Sequence, residues 1–195
     1  FVGTGNEAAA KSGGLAAMKK AKANGADKPQ AVILTGAQGD ETHEARLRGY
    51  RSAVEQAGGT VLEVQYCDAQ PDRAAAAMEA VMQKYPQGVD AVLVTGDDMA
   101  LAAIKCIWDN NSAAYRKTVI CGFDGNQAAV EALDRGELTV DIAQQGYEMG
   151  YKAVEAALDA LEGKSVESVI DSGSEVITAD NIDAYIADCR KKGLW

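Results

Sequence analysis

The sequence is poor in the residues and motifs that mark common enzymes. It has one His and three Pro in 195 residues, and it contains no Gly-x-Ser-x-Gly, no phosphate-binding loop and no His-Glu-x-x-His motif. The Gly-x-Gly of residues 3–5 lacks the third glycine of a dinucleotide-binding turn. His43 has no Ser or Cys nucleophile beside it in a recognisable motif, so we interpret it as a solvated residue near a helix start. These absences predict a protein that is not an enzyme, with no catalytic residues, cofactor or metal.

Basic charge and long apolar runs are also scarce. The formal net charge is −10 at pH 7, and no apolar run approaches the length of a membrane span. Nucleic acids and anionic membranes attract basic surfaces, so this balance argues against both as partners. The composition, 47% hydrophobic and 25% charged, is ordinary for a globular protein.

The four cysteines are Cys67, Cys106, Cys121 and Cys189, and none belongs to a C-x-x-C pair. That spacing argues against a metal cluster or a thioredoxin-type site. Cys106 falls in a helical pattern and Cys121 in a buried strand, so we expect buried free thiols. A bridge between Cys106 and Cys121 is the alternative, because their elements are neighbours.

Strand and helix patterns alternate about five times at a spacing of roughly 25–30 residues, which is typical of a doubly wound parallel α/β sheet. The predicted strands are residues 31–35, 60–66, 91–95, 118–123, 138–143, 168–170 and 175–177. The predicted helices are residues 7–23, 42–57, 72–84, 98–108, 127–135, 147–161 and 181–191.

The stretch T-V-I-C-G-F-D-G-N, residues 118–126, predicts a buried strand that ends in a tight turn carrying Asp124. In open α/β sheets the carboxyl ends of the strands face the ligand crevice, so Asp124 is a candidate ligand-binding residue. The alternative is that Asp124 caps the following helix, with Asn126 as its rival for that role.

Polar residues follow the other predicted strands at the same sheet edge. Arg46 lies early in a helix that starts from this edge and can reach it, which gives one cation among carboxylates and amides. Such a set suits a neutral polyhydroxylated ligand, whose hydroxyls both donate and accept hydrogen bonds. Phe123 can stack on the apolar face of a sugar. An enzyme with Mg²⁺ held by Asp97 and Asp98 beside Asp124 is a further alternative, although Asp98 also suits a helix N-terminus.

Five stretches make the chain resemble the periplasmic sugar-binding proteins of ABC importers, of the ribose- and galactose-binding type. They are A-V-I-L-T-G from Ala31, E-A-R-L-R-G-Y from Glu44, D-A-V-L-V-T-G-D-D-M-A-L-A-A-I from Asp90, G-F-D-G from Gly122 and I-A-Q-Q-G-Y-E-M-G from Ile142. Their order and spacing follow the family over nearly the whole chain. The effector domain of lac-repressor-type regulators shares this fold and is the alternative function.

The resemblance implies a ligand site, and the sequence differs from the family pattern at two positions. Arg46 matches an arginine that bonds sugar hydroxyls, Asp124 an aspartate after an aromatic, and Gln144 a contact near the hinge. The predicted ligand-binding set is completed by Thr4, Ala37, Asp97 and Phe123. Gly96 stands where the family usually has Asn, and Pro71 where it often has an aromatic, so the identity of the sugar stays open.

The resemblance also implies how the chain is divided. We expect residues 3–143 to form the C-terminal ligand-binding lobe, and residues 144–178 to form a hinge crossing and a helix that would belong to an absent N-terminal lobe. Residues 179–195 would return to the first unit as a closing helix. The apolar face of residues 147–161 would lose its usual cover, so we expect self-association through this helix.

The implied partners are a sugar or polyol and, for a full-length protein, an ABC permease. The implied location is periplasmic or extracellular. The first residue is Phe rather than Met, and we expect a chain that begins mid-protein and has lost its leader, with a lipid attachment as the anchor.

Overall fold

The computed structural model describes residues 1–194. The strands are β1 (Val2–Gly3), β2 (Gln30–Thr35), β3 (Thr60–Tyr66), β4 (Ala91–Val94), β5 (Val119–Cys121), β6 (Val140–Gln144), β7 (Ile170–Asp171) and β8 (Ser174–Thr178). The helices are α1 (Asn6–Ala23), α2 (Glu41–Gln56), α3 (Pro71–Lys84), α4 (Asp97–Asn110), α5 (Gln127–Asp134), α6 (Gly146–Leu161) and α7 (Ile182–Lys191), with a 3₁₀ turn at Ala113–Tyr115. Each predicted helix and strand is present, with bounds shifted by a few residues. None of the helices within residues 1–194 is both long and apolar enough to cross a bilayer.

The main sheet has six strands in the order β3-β2-β4-β5-β6-β8. The pairs from β3 to β6 are parallel, which confirms the doubly wound α/β fold. β8 is the difference, because it pairs antiparallel to β6. The chain leaves the sheet where β6 ends, passes through α6 and β7, and returns from the same edge, so β8 runs back along β6. β1 and β7 form a separate parallel pair.

Helices cover both faces of the sheet, and the strand residues alternate between two cores. On β2, Val32 and Leu34 face the core shared with α3, α4 and α5, whereas Ala31 and Ile33 face the core shared with α1 and α2. This alternation is the period of two that a strand buried on both faces must show.

The two cores also explain the cysteines, all four of which are free. Cys106 packs against the α3–α4–α5 core and Cys121 lies in the α1–α2 core, so the sheet separates the two thiols. The alternative of a bridge between them is therefore wrong.

α1 and α2 approach closely because glycines lie at their contact. A Cβ on Gly14 would come within 2.7 Å of the Ala53 side chain, and one on Gly49 within 2.3 Å of the Glu7 carbonyl oxygen. Backbone can approach backbone only where side chains are missing. This contact brings the N-terminus of α1 beside the first turns of α2.

α6 stands apart from the main body. It has no buried residue, and it lies beside β1 and β7, where Lys152 Nζ donates to the Asp171 carbonyl at 2.8 Å. Its large apolar side chains are 51–84% exposed and form a stripe at helical spacing: Tyr147, Tyr151, Val154, Leu158 and Leu161. α7, by contrast, returns to pack on α5 and β8. Trp195, the last residue of the predicted closing segment, lies outside the described residues.

Candidate functional site

The turn between β5 and α5 presents Asp124 at the carboxyl edge of the sheet. Its φ of +132° is a backbone conformation that residues with side chains rarely adopt, and an isolated bridge to Ala143 holds it. Asn126 caps α5, accepting a hydrogen bond from the Ala129 N–H at 2.9 Å. The cap interpretation of Asp124 is therefore wrong, and its side chain, 38% exposed, serves another role.

Arg46 reaches this edge from the second turn of α2. Its Nε donates to the Asn6 side chain at 2.8 Å, and its Nη1 donates to the Thr95 carbonyl at 2.8 Å and to Asp124 Oδ1 at 3.0 Å. The guanidinium carbon lies 3.7 Å from the centroid of the Phe123 ring. Nη2 donates to no group within residues 1–194, so it is available to a ligand in the adjoining cavity.

Gln144, at the end of β6, joins the same network. Its Nε2 donates to Asp124 Oδ1 at 2.7 Å, and its Oε1 accepts from the Thr4 hydroxyl at 2.9 Å. Arg46, Asp124 and Gln144, far apart in the sequence, thus meet around a single carboxylate oxygen. Thr4 connects them to the short segment between β1 and α1.

A cavity of about 320 Å³ opens beside this network. It lies between the starting turns of α2 and α4, and its lining is mostly polar. The lining residues are Asp40, Thr42, His43, Arg46, Ala69, Gly96, Asp97, Asp98, Met99 and Asp124. Its volume is at the lower end of the range for small-molecule sites.

Three predicted site residues are placed differently from the expectation. Phe123 is 0% exposed, and Arg46 covers its ring, so the prediction that it stacks on a sugar is wrong. Ala37 is partly buried in the loop after β2 and is absent from the described residues that line the cavity. Asp97 lines the cavity but is fully buried, and its Oδ2 accepts from the Asn126 N–H at 2.9 Å. Thr4 and Gln144 adjoin the cavity through Asp124 rather than lining it.

The magnesium alternative finds no support in this geometry. Asp97 is directed into the protein, whereas Asp98 is exposed. Within residues 1–194 no group of three or more His, Cys, Asp or Glu side chains is arranged to hold a metal ion.

His43 is a site residue that the sequence analysis missed. It is half-buried at the cavity wall, and its Nδ1 lies 2.9 Å from the Thr95 hydroxyl. Burial, followed by the charge of Arg46, lowers the pKa of His43, which keeps the ring neutral at pH 7. The available signal was its position one turn before Arg46 on the same helix.

Asp124 is ionised less readily than an exposed carboxyl. Burial raises its pKa, whereas Arg46, Gln144 and the Asp97 backbone N–H oppose that shift by favouring the charged form. A carboxylate held by these donors is a directional acceptor at the mouth of the cavity.

The sequence and the fold have counterparts in known proteins. The chain is 32% identical over 137 residues to the ribose import binding protein RbsB of Bacillus subtilis, covering 70% of this chain and 43% of that protein. It is 29% identical over 152 residues to the protein of that name from Haemophilus influenzae, covering 78% of this chain and 50% of the relative. The chain thus spans about half the length of these relatives.

Solved structures of solute-binding proteins share the fold of this chain. A periplasmic ribose ABC transporter structure from Conexibacter woesei superimposes with a TM-score of 0.83 at 28% identity, over 96% of this chain and 61% of that one. A solute-binding protein from Actinobacillus succinogenes with bound D-allose has a TM-score of 0.85 at 22% identity, over 95% of this chain and 64% of the other, which shows the shared fold. The family model described as "Periplasmic binding protein domain" matches residues 1–165, and the chain belongs to that family.

Proposed function

We propose that this chain is the C-terminal lobe of a protein that captures a sugar or polyol without catalysis and delivers it to an ABC permease. The observation that carries the proposal is the meeting of Arg46, Asp124 and Gln144 beside a polar cavity. The network offers both a free donor and a held carboxylate, which together match ligand hydroxyls. Relatives are named for ribose import, and a structural neighbour holds myo-inositol.

The same similarities support the remaining parts of the proposal. Import and solute-binding proteins favour the transport branch over the lac-repressor-type alternative, and they favour a periplasmic or extracellular location. A lipid attachment as the anchor is part of the proposal only. We propose residues 3–143 as the ligand-binding lobe, residues 144–178 as the hinge crossing and a helix for a second lobe, and residues 179–195 as the closing segment. Within the second range, β8 pairs with β6 and so belongs to the sheet of the ligand-binding lobe. Ligand held between two lobes would bind far more weakly to one of them.

Conservative substitutions at the network test the capture function. In the longest natural form of the protein, Asp124→Asn and Arg46→Lys are expected to weaken sugar binding about 10- to 150-fold, because each removes a charge-assisted hydrogen bond. Isothermal titration calorimetry against D-ribose, D-allose, D-galactose, L-arabinose and myo-inositol measures the change.

Arg48→Lys is the matched control for Arg46→Lys. Arg48 lies on the same helix but is exposed and forms surface ion pairs with Glu7 and Glu41. Its substitution is expected to leave affinity unchanged. Full affinity in both Asp124→Asn and Arg46→Lys would contradict the proposed site.

The exposed apolar stripe of α6 predicts self-association, which sedimentation can measure. Burying such side chains is worth about 1.5–3 kcal/mol each, so the present chain is expected to dimerise in a concentration-dependent way. Leu158→Lys should shift sedimentation toward the monomer, because it places a charge within the stripe. Ala160→Lys, on the opposite side of the same helix, should leave the dimer intact. A monomer at every concentration for the unmodified chain would exclude self-association through residues 147–161.

A further inference from the structure

Two buried carboxyl groups face each other beneath the candidate site. Asp97 begins α4 and Asp141 lies on β6, and both are 0% exposed. A Cβ on Gly122 would lie 2.6 Å from Asp97 Oδ1 and 3.1 Å from Asp141 Oδ1, so the absence of a side chain at Gly122 leaves the space that the pair occupies.

Within residues 1–194 the two carboxyl groups accept two hydrogen bonds, and both come from backbone N–H groups. Asp97 Oδ2 accepts from the Asn126 N–H at 2.9 Å, and Asp141 Oδ1 accepts from the Ile142 N–H at 2.8 Å. Asp97 Oδ1 and Asp141 Oδ2, both buried, have no hydrogen-bond partner in that part of the chain.

Among residues 1–194 no cation is paired with either carboxyl group. The titratable groups that face it are Asp124 at the β5–α5 turn, Cys121 on β5, Tyr50 on α2 and Tyr185 on α7. All of these are acids. The cation nearby, Arg46, is engaged with Asp124. A second negative charge in this site would meet only negative or neutral neighbours.

An ionised carboxylate has no hydrogen to donate, so a hydrogen bond between two carboxyl groups requires a proton on one of them. Burial, and next the charge of Asp141, raises the pKa of Asp97, and burial raises the pKa of Asp141. Two carboxyl groups that share a site cannot both ionise readily.

We propose that Asp97 and Asp141 hold one shared proton at neutral pH, and that this proton fastens the start of α4 to β6 and so positions Asp124 and Gln144. The Asp97 carboxyl group accepts from the N–H of Asn126, two residues after Asp124. Asp141 precedes Gln144 on the same strand. Both side chains are fully buried, so we assign both as positioning residues, including Asp97, which the sequence had placed in the ligand-binding set.

Loss of the shared proton at high pH should destabilise the folded protein. An Asp in an unfolded chain titrates near about pH 3.9, so above that pH the folded protein keeps a proton that the unfolded chain has lost. Stability therefore falls as pH rises through this window, and the unfolding equilibrium constant increases about tenfold per pH unit until the folded pair is ionised.

Urea unfolding between pH 6 and pH 9 tests the shared proton without reference to any ligand. Asp141→Asn supplies a permanent amide donor to Asp97, so no shared proton is needed. The unfolding equilibrium constant of this variant is therefore expected to lack the rise of about tenfold per pH unit that the pair gives the unmodified chain. Asp97→Asn provides the reciprocal variant should the first not fold. Asp27→Asn, an exposed Asp in a turn, is the control and should keep the original slope. An unchanged slope in both buried variants would overturn the shared proton.

The positioning role rests on the proposed function and is measured separately. Calorimetry with D-ribose, D-allose and myo-inositol is repeated over the same pH range. Affinity in the unmodified protein should decline with rising pH, and that decline should flatten in Asp141→Asn. The positioning role is overturned if Asp141→Asn flattens the pH dependence of stability while sugar affinity is independent of pH in both the unmodified protein and the variant. If none of the sugars binds at any pH, the proposed function fails, while the unfolding slopes still decide whether the pair shares a proton.

Discussion

Replacing Phe123 with Ala is expected to lower the free energy of unfolding by about 3–5 kcal/mol, because a fully buried ring is removed from a packed core. The ring lies in the α1–α2 core, together with Tyr50 and Ile142, and it supports the guanidinium of Arg46 from below. The cavity left behind can close only if Arg46 moves inward, away from Asp124. We therefore expect the Ala variant to lose stability and ligand affinity together in urea unfolding and calorimetry.

Phe123→Leu separates the two roles of the ring. Leu fills much of the same volume, so most of the stability should be retained, whereas the cation–π contact with Arg46 is lost at a cost of about 0.5–2 kcal/mol. The stacking hypothesis from the sequence predicts the opposite pattern for the Ala variant, with affinity lost and stability kept. That pattern would show that the ring faces the ligand and not the core.

The case of Phe123 shows what a strand-end pattern can and cannot predict. The alternation of strand and helix places residues 122–125 at the carboxyl edge, and the structure confirms that position for Asp124. It does not predict the direction of each side chain at a turn, because that depends on the backbone conformation. Asp124 has a φ of +132° and is turned outward, while the preceding ring is directed into the core.

The helix pattern placed Arg46 near the sheet edge, and the resemblance gave Arg46 and Gln144 their expected roles. The structure adds their mutual geometry. Long-range hydrogen bonds such as Thr4 to Gln144 have no signal in a single sequence, because they join residues 140 positions apart. His43 was interpreted as solvated for a similar reason. Its burial depends on Thr95 and Arg46, which a helix pattern alone does not bring together.

Asp141 is the least predictable of the residues discussed. It lies between Val140 and Ile142, where alternation in a strand usually places a charged residue toward solvent. Here helices cover both faces of the sheet, so the carboxyl group is buried whichever way it is directed. The strand β8 was predicted, but its antiparallel direction was not. The direction of a strand depends on where the preceding segment leaves the sheet, which a local pattern does not indicate.

Gly49→Ala is expected to destabilise the protein by about 2–3 kcal/mol, although Ala is the better helix former. Gly49 is buried within α2, and the new Cβ would lie 2.3 Å from the Glu7 carbonyl oxygen and 2.9 Å from the Lys11 nitrogen. Both are backbone atoms of α1, so a change of rotamer cannot relieve the overlap. The helices must move apart, which also lengthens the hydrogen bond between Asn6 and Arg46.

Gly150→Ala is the matched control, because it makes the same substitution in a helix where nothing lies within 4 Å of the new Cβ. Without an overlap, the helix propensity of Ala should leave stability unchanged or raise it by about 0.5–1 kcal/mol. Urea unfolding measures the difference in stability between the two variants. Calorimetry with a sugar that the unmodified protein binds tests whether displacement of Arg46 also lowers affinity in Gly49→Ala. Equal stability of the Gly49 and Gly150 variants would mean that α1 and α2 do not pack as closely as the structure has them.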